Sequence, residues 1–314
     1  MKKYLAIILV TALIGVSAHA FETTGTGRTG AQLLRLNMSA RSLALGGGGI
    51  SLLSGLESFS MNPAGMADVD HYELFFSHNE LYGDVRAEYI AFAKRHFGMV
   101  FAVSLKGFYL SVDEIDNTGL ATGETIHYYN AAGSFGIGVP VSENMMIGAG
   151  ITGIYQDGGY DGYTAFNYGF NGGIKISLMD KRIKVAASVR NASTDRISMK
   201  EDSADFPMPL VGNAGISYTF RNHELRDKLI LTADAEGYWE QSVTLSGGVE
   251  YLWTDWLSLR AGYRHKENYE IVDCISFGFG VRETIKKLTG HLDYAYTPYG
   301  DMGAAHRISY GLNW

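Results

Sequence analysis

Phe166-Asn167-Tyr168-Gly169-Phe170-Asn171-Gly172-Gly173-Ile174-Lys175-Ile176 is the stretch on which the fold turns. Its even positions are Phe, Tyr, Phe, Gly, Ile and Ile, while its odd positions are Asn, Gly, Asn, Gly and Lys. The pleat of a β-strand sends successive side chains to opposite faces. A strand that crosses a bilayer therefore alternates lipid-facing apolar groups with groups that accept water or close packing.

The same period recurs outward from this stretch. Phe97, Met99, Phe101, Val103 and Leu105 alternate with Gly98, Val100, Ala102, Ser104 and Lys106. Ile183, Val185, Ala187 and Val189 alternate with Lys184, Ala186, Ser188 and Arg190, and Ile275, Phe277, Phe279 and Val281 with Ser276, Gly278, Gly280 and Arg282. Val243, Leu245, Val249 and Tyr251 oppose Thr244, Ser246, Gly248 and Glu250. Ile230, and Ile90 with Phe92 beside Tyr89, blur the pattern locally. Runs of this kind between Tyr72 and Trp314 number about fourteen, an even count as single-chain bacterial barrels require. A soluble β-sandwich also alternates, but its strands are usually about five or six residues, and these runs are mostly nine or more. The fold class is all-β, a transmembrane antiparallel β-barrel of about 14 strands with a short N-terminal plug or hatch segment.

Connections alternate in length. Arg95-His96, residues 142–144, 179–181, Thr254-Asp255 and the stretch around Thr284 are short; residues 107–126, 156–162, 191–209, 265–272 and 297–304 are long. Short periplasmic turns and long outer loops are the barrel arrangement. Phe97, Phe220, Trp253, Trp256 and Trp314 fall at the short-turn end as one aromatic girdle, and Tyr238, Trp239, Tyr296 and Tyr299 are assigned to the other. Ile308, Tyr310, Leu312 and Trp314 end the chain on one apolar face, which suits an outer-membrane insertion signal.

The chain opens with a secretory pattern: Lys2-Lys3, an apolar run from Tyr4 to Val16, and the small-x-small site Ala18-His19-Ala20. The run is too short to span a bilayer, which takes roughly 20 apolar residues, so residues 1–20 read as a cleaved signal peptide. Residues 21–70 form the plug or hatch segment and residues 71–314 the barrel, placing the chain in the outer membrane of a Gram-negative-type cell, in contact with its lipid. Thirty-nine Gly and twenty Tyr beside five Pro fit many strands and turns rather than alternating strands and helices. A net charge of −7 without a basic stripe speaks against nucleic acid as a partner. The single Cys274 cannot form an intrachain disulfide and reads as a small packed residue.

No catalytic constellation emerges, and the chain reads as a non-enzyme without cofactor or metal. Gly25-x-Gly27-x-x-Gly30 lacks the strand and βαβ unit that a dinucleotide fingerprint needs. Asp113-Glu114-Ile115-Asp116 and Asp157 to Asp161 lack the ligand spacing of a calcium loop. The parity of the late strands instead sends Asp234, Glu250, Arg260, Arg264, Asp293 and Arg307 into the lumen. Charges there are costly unless paired or hydrated, so a salt-bridge network supporting the wall or plug is expected.

Residues 21–70 carry Ser39-Ala40-Arg41, then Gly46, Gly47, Gly48 and Gly49, then Asn62-Pro63-Ala64-Gly65. This order is similar to the N-terminal signature of FadL-like outer-membrane barrels and most resembles the PorV/PorQ family. Gly30 to Leu34, Val189-Arg190-Asn191, Phe206-Pro207-Met208-Pro209-Leu210, Ala233 to Glu236, Gly248 to Tyr251, Leu259 to Arg264, Leu292 to Pro298 and His306 to Ser309 continue the resemblance in family order. Gly47 to Gly49 is more glycine-rich than the family pattern, and Met208 stands where Leu is commoner. The resemblance implies fourteen strands around an N-terminal segment fixed by the Asn-Pro turn and the Gly cluster, whose bland reading is purely structural.

Two functional classes follow from the resemblance. PorV/PorQ kinship implies a type IX-like protein-secretion accessory that engages exported cargo and other secretion-system proteins. FadL-like ancestry implies a channel for the uptake or export of small hydrophobic molecules. The polar inward face favours the first, although Phe59, Met61 and Ile90 could build an apolar pocket. Phe206, Pro207, Met208 and Pro209 mark a candidate partner loop, either offering an extended edge to another chain or folded over the lumen.

Overall fold

The computed structural model describes residues 29–81, 85–116, 118–159, 163–200, 205–222, 226–238, 243–265 and 270–314. The leader read over residues 1–20, Gly25, Gly27 and Trp239 lie outside them. The first half of the wall is β1 (Tyr72–Glu80), β2 (Arg86–His96), β3 (Met99–Ile115), β4 (Ala121–Ser142), β5 (Met145–Asp157), β6 (Thr164–Leu178) and β7 (Ile183–Ala192). Two-residue strands β8 (Arg196–Ile197) and β9 (Phe206–Pro207) pair with each other outside it. The second half is β10 (Val211–Arg221), β11 (Lys228–Tyr238), β12 (Thr244–Trp253), β13 (Leu257–Arg264), β14 (Ile275–Ile285), β15 (Leu288–Pro298) and β16 (Ala304–Asn313). Among the described residues, fourteen strands thus form one closed antiparallel barrel. β1 pairs with β16 from Glu73↔Asn313 to Glu80↔His306, and Tyr72 and Trp314 exchange backbone hydrogen bonds of 3.1 Å at the seam. No described helix is long and apolar enough to cross a membrane.

The alternation read in the sequence is the alternation of the wall. Phe166 and Phe170 are 71% and 55% exposed on the outside, whereas Asn167 and Lys175 are buried inside. Val103, Leu105, Leu245, Val249, Phe277, Phe279, Ile308 and Tyr310 continue the outer apolar belt. The short-turn ends use residues that accept positive φ: Phe97 (50°) with Gly98 (76°), and Thr254 (47°) with Asp255 (65°). Two-residue turns of this hand match the right-handed twist of the strands they join.

One loop assignment and one aromatic girdle change. Residues 107–126, read as a long loop, are mostly strand, since β3 runs to Ile115 and β4 begins at Ala121. Beyond Tyr109 on β3 and before Tyr129 on β4, these strands pair only with each other among the described residues, forming a hairpin that projects above the rim. Alternation continues in a hairpin clear of the membrane, but its polar and apolar faces are both exposed, which blurs the signal. The girdle at the short-turn end holds exposed Phe97, Phe220, Trp253, Trp256 and Trp314. At the other end Tyr296 faces out, but Tyr238 points inward and is buried, because it shares the parity of Glu236. Tyr299 likewise accepts a hydrogen bond from Arg307 instead of facing lipid.

Eight strands make a barrel just wide enough for its own side chains to fill. Fourteen leave a wider lumen, and here residues 29–70 lie against its inner wall. They form short helical turns at Gln32–Arg35, Ala40–Ala44, Leu56–Phe59 and Pro63–Asp68. Ser39 caps the second turn by accepting from the Ser42 amide, and Asn62 caps the last by accepting from the Ala64 amide, with Pro63 in the first turn. Each turn is too short to be stable alone, so the segment's order comes from burial. Met38, Leu56, Phe59 and Met66 pack on Phe75, Tyr89 and the small Ala87, Ala91, Ala93 and Ala102. Leu33 and Leu34 meet Ala132, Ile154 and Ile197, and Leu45 with Leu52 meets Ile230. Ile230, which blurred the alternation, and Tyr89 are inward groups that touch this segment, whereas Ile90 and Phe92 beside Tyr89 face outward.

Candidate functional site

The inward charges sort into a chain, a second cluster and two separate anchors. Arg260 donates from Nε to Glu250 Oε1 (2.8 Å) and from Nη1 to Asp293 Oδ1 (2.6 Å). Register dictates the meeting: Glu250 lies opposite Arg260 across β12 and β13, and Gly280, the β14 residue beside Asp293, leaves room for both side chains. Arg41, from the N-terminal segment, clasps the same carboxylate with two bonds, Nε to Oε1 (3.0 Å) and Nη2 to Oε2 (2.6 Å). Its Nη1 lies 3.7 Å from Glu57, which accepts from the Ser39 hydroxyl at 2.7 Å. The chain Glu57–Arg41–Glu250–Arg260–Asp293 thus fastens the segment to three wall strands. Charge-assisted, two-point bonds of this type are the strong and directional ones.

Glu236 organises the second cluster. It accepts from Arg264 (2.8 Å), Arg190 (3.3 Å), Asn213 (3.3 Å) and the Tyr238 hydroxyl (2.6 Å). Among the described residues Asp234 meets no arginine; its carboxylate accepts from the backbone amides of Gly49 (2.7 Å) and Ile50 (3.0 Å). Arg307 likewise stands apart, donating to Thr297 Oγ1 (3.0 Å) and Tyr299 Oη (3.1 Å). The six residues read as one lumenal network are therefore split between distinct attachments. Five participants were not singled out: Arg41, Glu57, Arg190, Glu236 and Lys175. The last donates to the Leu53 carbonyl (2.6 Å) and pairs with Asp68 (3.2 Å). Parity carried a signal for Arg190, Glu236 and Lys175, all on inward rows. Arg41 and Glu57 precede the alternating region, where parity says nothing.

The two N-terminal motifs meet the wall through backbone. Gly46, Gly47 and Gly49 have φ of 76°, 81° and 88°, and a Cβ on Gly46 would sit 2.5 Å from the Tyr263 carbonyl oxygen. At the other end Asn62 donates to the Ile174 carbonyl (3.2 Å), while Ser188 donates to the Met61 carbonyl (2.7 Å). Inward Gly148 of β5 opens the wall for the backbone of Pro63 and Ala64. Asp234→Ala is expected to cost about 1.5–3 kcal/mol, the range for hydrogen bonds to a charged group. Faster hydrogen exchange at the Gly49 and Ile50 amides, with the Asn62 turn unchanged, is the measurement that checks it.

The candidate partner loop is only partly free. Pro207 accepts from the Gly30 amide (3.1 Å), Pro209 accepts from Asn191 (3.1 Å), Met208 is buried, and Phe206 alone is exposed. Its strand edge is occupied by β8 and by Gly30, and an Arg196–Asp205 pair (2.8 Å) closes the hairpin. The suggested apolar pocket of Phe59, Met61 and Ile90 does not form, because Ile90 faces outward, 48% exposed. A cavity of about 240 Å³ lies instead at the long-loop end, lined by Leu36, Met38, Leu43 and Leu81 with Tyr238 and Tyr299 among others. Its apolar residues come from both layers, Leu36, Met38 and Leu43 from the segment and Leu81, Ala87, Tyr238 and Cys274 from the wall.

A model of the uncharacterised protein family UPF0164 matches residues 10–169. No curated protein matches the sequence. Among solved structures, the chain is similar to the Pseudomonas putida toluene transporter TodX, with a TM-score of 0.54, 14% identity, and coverage of 93% of this chain and 98% of that one. It is similar to a TodX deltaS2S3 mutant, described as a monoaromatic hydrocarbon channel (TM-score 0.59, 12% identity, 87% and 97% coverage). It is also similar to a Pseudomonas aeruginosa FadL homologue (TM-score 0.50, 13% identity, 88% and 96% coverage). At these identities the likeness is one of fold, that of FadL-type outer-membrane barrels.

Proposed function

We propose that this chain, which belongs to the uncharacterised protein family UPF0164, is a non-enzymatic outer-membrane conduit for small hydrophobic molecules, with residues 29–70 as its hatch. The observation that carries the proposal is the 240 Å³ cavity, whose apolar lining is shared between the segment (Leu36, Met38, Leu43) and the wall (Leu81, Ala87, Tyr238, Cys274). The inward wall is polar, but the segment lays Leu36, Met38 and Leu43 over it. A lumen that reads as hydrophilic from its strands therefore presents apolar groups beside the charged Arg35, Glu236, Arg264 and Arg307 that line the same cavity. The shared fold with toluene and monoaromatic hydrocarbon channels supports the same reading. Cells producing the chain in their outer membrane are expected to take up labelled toluene several-fold faster than cells without it. Equal rates at matched surface levels would count against a conduit.

The secretion-accessory role implied by the PorV/PorQ resemblance has one structural support of its own. The projecting hairpin, Leu110–Ile115 with Ala121–Tyr128, has strand edges that pair with no other strand among the described residues. Free edges are templates on which an extended segment of another chain can pair. Purification from native outer membranes, with and without this hairpin, separates the readings. Proteins that depart with the hairpin favour secretion, and bound small hydrophobic molecules without proteins favour the conduit.

A further inference from the structure

We infer that the lumen holds a small inorganic anion, a halide, between Lys106 and Arg190. A polar cavity of about 30 Å³ lies where β3, β4, β5, β6 and β7 face the N-terminal segment. Its lining contains these two cations and not one carboxylate. Lys106 and Arg190 are both buried. The Lys106 ammonium has three donors and gives one to the Leu36 carbonyl, at 2.9 Å. Arg190 gives Nη1 to the Ser60 carbonyl (2.9 Å) and Nη2 to Glu236 (3.3 Å), while its buried Nε meets no acceptor among the described residues. Glu236 is itself shared with Arg264 at the shorter distance of 2.8 Å. Positive charge therefore exceeds negative charge around this space, and a buried charge without a counterion is strongly disfavoured.

The neutral groups add donors. Asn171 Oδ1 accepts from the Asn191 amide (2.9 Å), which fixes the orientation of its side chain and makes Nδ2 the donor to Thr152 Oγ1 (2.9 Å). Thr152 Oγ1 also shares a hydrogen bond with Ser134 Oγ (2.8 Å), in which either hydroxyl can be the donor. Of the two hydroxyls in this bond, the one that accepts has its proton left for the cavity that Ser134 and Thr152 both line. One water needs roughly 10–15 Å³ of comparable space, so a monatomic anion fits. The site joins wall to segment, because Ser60 and the Leu36 carbonyl belong to residues 29–70 while the cations belong to the wall.

The mature barrel, unfolded at equilibrium in detergent micelles, provides the test. Chloride and bromide are compared with gluconate at equal ionic strength. A ligand bound only by the folded state shifts the unfolding constant with a log–log slope approaching one above its Kd. That slope is expected in both halides, absent in gluconate, and lost in Lys106→Met. Identical unfolding in all three salts would overturn the proposal, as would a halide slope that survives Lys106→Met. Should Lys106→Met fail to fold, bromide anomalous scattering from the wild-type crystal decides. A peak within hydrogen-bond reach of Lys106 Nζ and Ser134 Oγ supports the site, and none overturns it.

Discussion

Arg260→Met is expected to lower the barrel's unfolding free energy by about 3–5 kcal/mol, the cost of removing one partner of a buried ion pair. Arg260 sits between Glu250 and Asp293, and its side chain is only 4% exposed. Its loss leaves two buried carboxylates with Arg41, among the described residues, as the one remaining cation hydrogen-bonded to either of them, and of the two it reaches Glu250 and not Asp293. Asp293→Asn removes part of the same arrangement. If the two residues act as a pair, the double variant loses less than the sum of the single losses. Urea unfolding of the refolded barrel gives all three values, and additive losses would show that the 2.6 Å contact contributes nothing specific. Arg41→Met tests the joint between segment and wall. It should expose the Gly46 to Gly49 region to protease while leaving the strands intact.

Gly148→Val should be worse, with a cost above about 4 kcal/mol, in the range that marks a named structural conflict. A Cβ at this position would coincide with the backbone of Pro63 and Ala64. Neither can give way easily: Pro63 has a fixed φ, and the Asn62 cap holds the Ala64 amide at 2.9 Å. The barrel must then either release the Asn-Pro turn or fail to close. Gly107→Ala is the matched control, since a Cβ there meets nothing within 4 Å. It should stay within about 0.5 kcal/mol of the parent. Heat-modifiable migration on gels, with trypsin accessibility at Arg35 and Arg41, separates an expelled segment from a barrel that never forms. Comparable losses from the two glycine variants would mean that strand glycine, rather than this contact, is what matters.

Much of the wall was legible because one physical constraint acts on every strand. Lipid on one side enforces period two, so Phe166 to Ile176 fixed its own facing without knowledge of its neighbours. The same rule placed Glu250, Arg260 and Asp293 on the inner face. It could not pair them, since pairing depends on height along the barrel as well as on facing. Tyr238 shows the reverse failure: its height suited a girdle, but its parity, two residues from Glu236, sends it inward. The contents of the lumen were illegible for a different reason. Residues 29–70 obey no period, and their positions follow from contacts far along the chain, such as Arg41 with Glu250 and Asn62 with Ile174. Ile230 looked like an error in the pattern until the segment was placed against it. A polar inner wall was for the same reason a poor guide to the lumen, because a second layer covers it.

Single nitroxide labels at each position from 166 to 176, in the barrel reconstituted into liposomes, test the membrane-spanning wall most directly. Oxygen, which concentrates among acyl chains, should collide often with labels at 166, 168, 170, 174 and 176 and seldom with labels at 167, 169, 171 and 175. Accessibility that is uniform along the stretch, or that repeats at a helical period, would contradict a strand with one face in lipid and the other in a filled lumen.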